Sequence, residues 1–366
     1  MEFALTEDQI LLQDSLNKTL ERDCPLERVR KAVADREPFA PEVWRSLAEL
    51  GLAGIMVPAE YGGLGLGLLE AALAAEALGR AVAPTPFAAS AVMASLALVG
   101  AGSPAQQAKW LPNLAAGEVV CGVAVAETAA GARDGAGITA SGGRLSGKAL
   151  FVLDGGAADL FIVADRDGGL HLVEAGAAGL ERTALKTVDV TRTVCELKLD
   201  GVAAEHLSAG DAPAALARMI DAGRIILAAD ILGAGQRMIE LAVAYAGERR
   251  QFGRVIGSFQ AVKHLCAEMA AELEPCRALV WYAAYAFDAR PAEAGLMAAH
   301  AKAHLSEVGT FVARTTTEVH GGMGFTDLCG LHYWFKRIGF DRQMLGGPER
   351  LRAHAAALQG WGARAS

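Results

Sequence analysis

The chain has 366 residues, of which 52% are hydrophobic and 21% are charged, and its formal net charge is −8. This length is sufficient for two or three packed subdomains, each able to bury its own apolar core. The negative charge leaves no basic stripe to neutralise a phosphate backbone, which argues against a nucleic-acid partner.

The first part of the chain, residues 1–118, has the pattern of a helical domain. Apolar residues recur at helical spacing, and prolines and the Gly62-Gly63 pair interrupt them. The stretch between Arg80 and Lys109 carries no charge and could resemble a membrane span, but its prolines leave only a helix around Ala88–Leu98. We therefore expect a buried core helix there and no membrane span.

The pattern changes twice after residue 118. Short runs rich in Val, Leu, Ile and Thr, separated by Gly and Asp clusters, predict a small antiparallel β domain over 119–208. Helical spacing returns after Ala212-Pro213 and predicts a C-terminal four-helix bundle over 209–366. Long helical segments are expected near 215–248, 258–287, 292–320 and 331–357. The predicted fold class is α+β, mainly α.

The six cysteines show no Cys-x-x-Cys spacing. This distribution favours buried, reduced thiols over a disulfide framework or a zinc site. We expect a cytoplasmic protein without a bound metal.

Distinctive segments follow one another in a fixed order along the chain. Three of them are Val57–Gly65 (Val-Pro-Ala-Glu-Tyr-Gly-Gly-Leu-Gly), Ala77–Arg80 and Asp189–Arg192. The two most specific are Glu248–Gln260, which contains Arg-Arg-Gln-Phe-Gly, and His320–Thr326, which contains Gly-Gly-Met-Gly-Phe. Together they resemble the acyl-CoA dehydrogenase family over the whole chain.

The resemblance implies FAD-dependent α,β-dehydrogenation of an acyl-CoA thioester. The Ser-Phe-Gln variant at 258–260 is similar to that of a bacterial subgroup, some of whose members act on bulky or steroid side-chain acyl groups. The expected electron acceptor is an electron-transfer flavoprotein. We expect a homo- or hetero-oligomer with a homologous subunit, most simply a tetramer.

Four residues of the segment Glu248–Gln260 correspond to the family's flavin contacts. In the family this segment enters the flavin site of a neighbouring subunit, so Arg249 would pair with the pyrophosphate, and Gln251, Phe252 and Gln260 would contact the dinucleotide. A planar, permanently charged guanidinium is well suited to bind a phosphate. The alternative reading of Arg249 is a surface salt bridge.

The Gly321-Gly322 pair corresponds to the place where the family brings backbone amides close to adenosine diphosphate. Glu318 stands where the family usually has glutamine, and its carboxylate would repel a pyrophosphate. The alternative reading of the pair is a turn that caps the preceding helix.

The other half of the implied flavin site corresponds to Ala126–Asp134 and Phe151–Asp154. The family has a Thr-Glu-Pro-x-x-Gly-Ser-Asp segment and a Trp-Ile-Thr segment at these places, and this chain lacks most of their hydroxyls and the tryptophan. The loss removes hydrogen bonds and stacking area, so we expect weakened flavin binding through this half.

The carboxylate that would remove the substrate α-proton is missing from both places the family uses. They correspond to Gly346 and Gly223, and the adjacent Arg224 is predicted to contact the substrate. Asp230 lies two helical turns after Gly223 in an apolar run. It is either the base, with a pKa raised by burial, or a structural partner of Arg237 or of another chain's arginine.

Three functions therefore remain open. The first is an acyl-CoA dehydrogenase that uses Asp230 or another base. The second is a non-catalytic subunit that shares its flavin with a homologous partner. A flavin monooxygenase on the same fold is a third and weaker reading.

Overall fold

The computed structural model describes residues 4–131, 133 and 135–361 of the chain. Helices fill the part before residue 119, as the sequence predicts. Their bounds are α1 (Glu7–Asp23), α2 (Leu26–Ala34), α3 (Pro41–Glu49), α4 (Leu68–Arg80), α5 (Ser95–Ala101) and α6 (Pro104–Ala115). A fully buried π-helical stretch, Phe87–Ala94, leads into α5, which confirms the expected core helix.

Two of these helices begin with reciprocal side-chain caps. Thr6 accepts a hydrogen bond from the backbone of Gln9, whose side chain in turn accepts one from the backbone of Thr6. Ser103 and Gln106 repeat the arrangement at the start of α6. Such capping boxes satisfy amide groups that a helix leaves unpaired, so the starts of α1 and α6 are locally encoded.

The middle of the chain forms a twisted sheet. Its strands are β1 (Cys121–Ala124), β2 (Gly137–Ser141), β3 (Arg144–Leu153), β4 (Leu160–Ala164), β5 (Leu170–Glu174), β6 (Leu180–Ala184), β7 (Val194–Ala203) and β8 (Glu205–His206), and a short helix α7 (Ala126–Ala130) follows β1. The strand order is β6-β7-β3-β1-β4-β5-β8, with β2 beside β3. The described pairs are antiparallel except β1 with β4, where Cys121 lies opposite Leu160.

Five helices follow the sheet. They are α8 (Ala212–Glu248), α9 (Gln260–Ala289), α10 (Pro291–His320), α11 (Leu331–Gln343) and α12 (Pro348–Leu358), and two-residue strands β9 (Arg250–Gln251) and β10 (Arg254–Val255) form a hairpin after α8. The single helix expected over 331–357 is divided at Met344–Gly347. Leu345 and Gly346 have φ angles of 58° and 107°, which a right-handed helix cannot continue.

Helix α8 crosses α4 at very short range. A Cβ atom at Gly79 would collide with the carbonyl of Asp230, and one at Gly233 would collide with that of Glu76. Glycine is therefore required on both helices, and α8 is held in the core between α4 and the helices that follow it. Of the helices in the described ranges, not one combines the length and the apolar run needed to cross a bilayer.

Candidate active site

A cavity of about 410 Å³ opens between strand β3, helix α7 and helix α11. Strand β3 contributes Leu150 and Phe151 to its wall, and Phe340, Met344 and Leu345 contribute from α11 and the loop after it. Sites for small molecules are typically concave and mostly apolar, with a few polar groups that orient the ligand. The size and lining of this cavity fit such a site.

Backbone strain marks two sides of the cavity. Phe151 has a φ of 51° and Leu345 has a φ of 58°, in the left-handed region that side chains other than glycine rarely adopt. Phe151 lies in a β-bulge, where the register between β3 and β7 shifts between Ala149 and Val152. Strained residues of this kind concentrate at ligand sites, because the surrounding structure must hold them in place.

Both stretches predicted to line a flavin ring contribute to the cavity. Helix α7 supplies Ala126, Glu127 and Ala130, and the second stretch supplies Phe151. A carboxylate oxygen of Glu127 accepts a hydrogen bond from the backbone N–H of Leu150 at 2.8 Å, which ties α7 to β3. Two residues of the first stretch, at 132 and 134, lie outside the described residues.

Glycines occupy the two positions predicted from the resemblance to carry the base. Gly346 has a left-handed backbone, and a Cβ there would lie 3.4 Å from the carbonyl oxygen of Ala129. A Cβ at Gly223 would lie 2.6 Å from Leu345 and 2.7 Å from the sulfur of Met93. A side chain at Gly223 would therefore displace the wall of the cavity.

Arg224, predicted to contact substrate, is 6% exposed and is not among the residues that line the cavity. Its guanidinium donates to the carbonyl oxygen of Leu345 at 3.1 Å and to that of Ala129 at 3.4 Å. It also pairs with Asp221 at 2.9 Å. Burial lowers the pKa of Arg224. Arg224 thus connects α8 to two walls of the cavity from behind.

Asp230, the candidate base, is 2% exposed and lies within a buried ion cluster. One carboxylate oxygen accepts from Arg192 at 2.7 Å and from Arg337 at 2.9 Å, and the other accepts from Arg337 at 3.0 Å. Burial alone would raise the pKa of Asp230, but the two arginines outweigh it and the pKa is lowered. The expected raised pKa is therefore wrong. Arg237 is also the wrong partner, because it pairs with Glu240 at 3.3 Å.

The ion cluster joins all three parts of the chain. Arg337 on α11 also donates to Thr191 at 2.9 Å and to the carbonyl oxygen of Ala83 at 3.2 Å. Asp341, one turn further on, lies 3.3 Å from Arg192, and burial raises its pKa well above the ordinary value. Sequence reasoning did not identify Arg337 or Asp341. Their spacing of four residues, which places a positive and a negative charge on one face of α11, was the available indication.

The segment predicted to bind a dinucleotide lies on the surface. Arg249 directly precedes the hairpin β9–β10, Gln251 lies next to its turn and Phe252 lies in the turn, and Gln260 begins α9. All four residues are exposed, and the side chain of Phe252 is 91% exposed with a φ of 53°. None of the four is among the described residues that line the cavity. Within one chain, the segment and the cavity are therefore separate.

Glu318, Gly321 and Gly322 are exposed at the end of α10. Gly321 has a φ of 57°, and a Cβ at either glycine would meet no atom within 4 Å. The ring of His320 stacks on that of Tyr245 near the end of α8, with 4.5 Å between centroids. This contact brings the glycine pair and the hairpin to the same end of the helical bundle.

Comparison with known proteins identifies the family. The family model described as "Acyl-CoA dehydrogenase, N-terminal domain" matches residues 6–118, and "Acyl-CoA dehydrogenase, C-terminal domain" matches residues 213–358. The chain belongs to the acyl-CoA dehydrogenase family. This acyl-CoA dehydrogenase homologue is 29% identical over 350 residues to acyl-CoA dehydrogenase IpdE2 of Mycolicibacterium smegmatis, with 95% of this chain and 98% of that protein covered. It is 32% identical to acyl-CoA dehydrogenase FadE27 of Mycobacterium tuberculosis, with 95% of each chain covered.

Solved structures of the acyl-CoA dehydrogenase fold agree closely. The chain superposes on a structure named Tcur3481-Tcur3483 steroid ACAD G363A variant with a TM-score of 0.86 and 32% identity, covering 97% of this chain and 98% of that one. It also superposes on the ChsE4-ChsE5 complex of Mycobacterium tuberculosis with a TM-score of 0.89 and 28% identity, covering 98% and 99%. The predicted fold class is confirmed.

Proposed function

We propose that the chain takes part in FAD-dependent α,β-dehydrogenation of an acyl-CoA thioester. The observation that carries this proposal is the apolar cavity, which is walled by the two stretches that correspond to the family's flavin lining and by the loop where the family places its base. The strained backbones of Phe151 and Leu345 support a ligand site at this place.

The described residues fit the cofactor unequally. FAD, when bound, accepts the hydride from the β-carbon of the substrate. Phe151 and Leu345 offer apolar contact to a ring, but the hydroxyl groups of the family's lining are absent. The exposed Arg249 suits a pyrophosphate, and the bare backbone at Gly321 and Gly322 suits close approach by adenosine diphosphate.

The remaining dinucleotide contacts proposed for FAD are Gln251, Phe252, Gln260 and Glu318. Because these residues lie outside the cavity of their own chain, we propose that they act in the site of a neighbouring chain. An assembly of at least two chains is required for this arrangement, and a tetramer is the simplest form.

We also propose that the boundaries between the three domains lie at 118/119 and 208/209.

Proton removal is the step for which this chain offers least. Positions 346 and 223, which correspond to the family's two places for the base, are glycines. Asp230 is enclosed by Arg192 and Arg337. We propose that Asp230 has a structural role and that Arg224 positions the loop at Leu345. We also propose that a second chain supplies the base. This reasoning favours the alternative function, a non-catalytic subunit that shares flavin with a homologous partner.

The relatives support a bulky acyl group and a mixed assembly. One solved relative is named a steroid acyl-CoA dehydrogenase, and another is a complex of two differently named chains. We propose an acyl-CoA with a bulky ring-containing group as the substrate, and an electron-transfer flavoprotein as the acceptor.

Purification of the chain alone and with a co-expressed homologous subunit tests the proposal. A yellow protein that bleaches with an acyl-CoA in either preparation supports dehydrogenation. Colour that appears only in the co-expressed preparation favours the flavin-sharing subunit. Absence of flavin from both preparations would contradict both functions, and flavin-dependent oxygen consumption would favour a monooxygenase.

A further inference from the structure

Three arginines converge on the end of helix α7, beside the cavity. Arg224 donates to the carbonyl oxygen of Ala129 from the interior. A Cβ at Gly131 would lie 2.6 Å from a terminal nitrogen of Arg350, so that guanidinium lies directly against Gly131. Arg133 is two residues further along and lines the cavity itself. We call Arg133, Arg224 and Arg350 the arginine cluster.

Among the residues that the structure describes, only one member of the arginine cluster has a counterion. Asp221 pairs with Arg224 at 2.9 Å, and Glu127 already accepts from the backbone of Leu150. Within the described ranges, Arg133 and Arg350 form neither an ion pair nor a side-chain hydrogen bond. Arg133 lines the apolar cavity and Arg350 lies against Gly131 in its wall, in a chain whose net charge is −8.

The positions of these two groups are fixed by the cavity wall. The guanidinium of Arg133 stacks over the ring of Phe151, with 5.0 Å from its central carbon to the ring centroid. Gly131, between Arg133 and the end of α7, has a φ of 91° and no space for a side chain on the side of Arg350. The ring of Phe151 thus orients Arg133, and the absence of a side chain at Gly131 leaves space for Arg350.

We infer that Arg133 and Arg350 bind the diphosphate of a ligand whose apolar part enters the cavity. Guanidinium groups match phosphate oxygens with paired, charge-assisted hydrogen bonds. The inference rests on the proposed function, since both FAD and coenzyme A carry an adenosine diphosphate group. It assigns a role to Arg350, and a specific one to Arg133 within the stretch that corresponds to the family's flavin lining.

A purely structural role would require these arginines to cap the carbonyl groups of α7. Arg224 makes such a contact, with Ala129, and the cap is therefore already provided. Two neighbouring guanidinium groups that have no ion pair among the described residues are the expected form of an anion site, and its affinity should fall with ionic strength.

The test compares Arg133→Gln, Arg350→Gln and the double variant with wild type, in whichever assembly the wild-type chain is purified. Arg45→Gln is the matched control, because Arg45 is an exposed arginine on α3 far along the chain from the cavity. Calorimetry measures binding of coenzyme A, of pantetheine, which lacks the diphosphate, and of FAD to the flavin-free protein.

We expect each single variant to weaken binding of the diphosphate ligand about 10-fold or more, with a larger loss in the double variant, because each substitution removes a hydrogen bond to a charged group. Pantetheine binding and the control should match wild type. Loss confined to coenzyme A identifies the substrate as the source of the diphosphate, and loss confined to FAD identifies the cofactor.

Unchanged affinity for coenzyme A and FAD in the double variant would overturn the inference and leave the proposed function intact. Equal weakening of pantetheine and coenzyme A would also overturn it, since the arginines would then shape the cavity without binding phosphate. A wild-type protein that binds neither ligand would contradict the proposed function itself.

Discussion

Two charged residues of the same helix region have opposite surroundings. Asp230, in the middle of α8, is enclosed by Arg192 and Arg337 of its own chain. Arg249, directly after the end of α8, is exposed and forms no ion pair within the described residues. A charge that its own chain neutralises in the core serves the fold, whereas an exposed charge without a partner is available to a ligand or another chain.

The largest expected effect comes from neutralising the enclosed charge. Asp230→Asn should lower the free energy of unfolding by about 3–5 kcal/mol, because Arg192 and Arg337 would remain buried after losing the carboxylate that both of them contact. Urea unfolding measures this change. Glu174→Gln, which breaks the exposed pair with Lys109, is the control and should cost about 0–1 kcal/mol. If Asp230→Asn kept full stability and lost turnover by roughly 10²–10⁴, Asp230 would be the base.

A second carboxylate near the cluster tests the comparison through pH. Asp154 is 4% exposed and accepts a hydrogen bond from the backbone of Ala89 at 3.3 Å. Burial raises its pKa from 3.8 to about 6. The unfolded chain therefore releases this proton at lower pH than the folded chain, and Asp154 reduces stability progressively as pH rises from 3.8 to about 6.

Asp154→Asn should remove that pH dependence. Asparagine keeps an acceptor for Ala89 and tolerates the left-handed backbone at this position, where φ is 54°. Relative to wild type, the variant should gain on the order of 3 kcal/mol in unfolding free energy between about pH 4 and about pH 7. Parallel stability curves for the two proteins across this range would show that Asp154 is ionised normally.

Replacement of the exposed charge should affect binding and spare the fold. Arg249→Ala should weaken FAD binding by about 1.5–3 kcal/mol, the range for a hydrogen bond to a charged group. Its unfolding free energy should change by less than about 0.5 kcal/mol, because the side chain is exposed. Flavin retention during gel filtration measures the change in FAD binding, and urea unfolding measures the change in stability. Full flavin retention would remove Arg249 from the cofactor site.

The smallest effect on stability is expected at the turn of the hairpin. Phe252→Ala should change the unfolding free energy by less than about 0.5 kcal/mol, since the ring is 91% exposed in the single chain. It should nevertheless weaken association between chains, because an exposed aromatic ring at the turn of a hairpin is suited to a subunit contact. Sedimentation at decreasing protein concentration measures this, and an unaltered dissociation constant would contradict the assigned role.

The sequence predicted features that depend on local pattern and missed those that depend on distant pairing. Helical spacing, prolines and capping residues were sufficient for the order of helices, strands and helices. The parallel pairing of β1 with β4 and the pKa of Asp230 were not predictable in this way. The partners of Asp230, Arg192 and Arg337, are 38 and 107 residues away along the chain, and only the fold brings the three residues together.

The candidate site divides in the same way. The cavity lining at Ala126 and Phe151 could be located from the resemblance, and so could the exposed hairpin. The inward position of Arg224 could not, because periodicity places a residue on a face of a helix without showing what lies beyond that face. The break at Met344–Gly347 was missed although Gly346, Gly347 and Pro348 are residues that commonly end helices.

The central claim is that the hairpin of one chain completes a flavin site in another. Gel filtration with light scattering and flavin absorbance tests it most directly when the wild-type protein is diluted until its assembly dissociates. We predict that flavin elutes only with species of two or more chains and is lost as single chains appear. A single chain that retains flavin at full occupancy would contradict the claim.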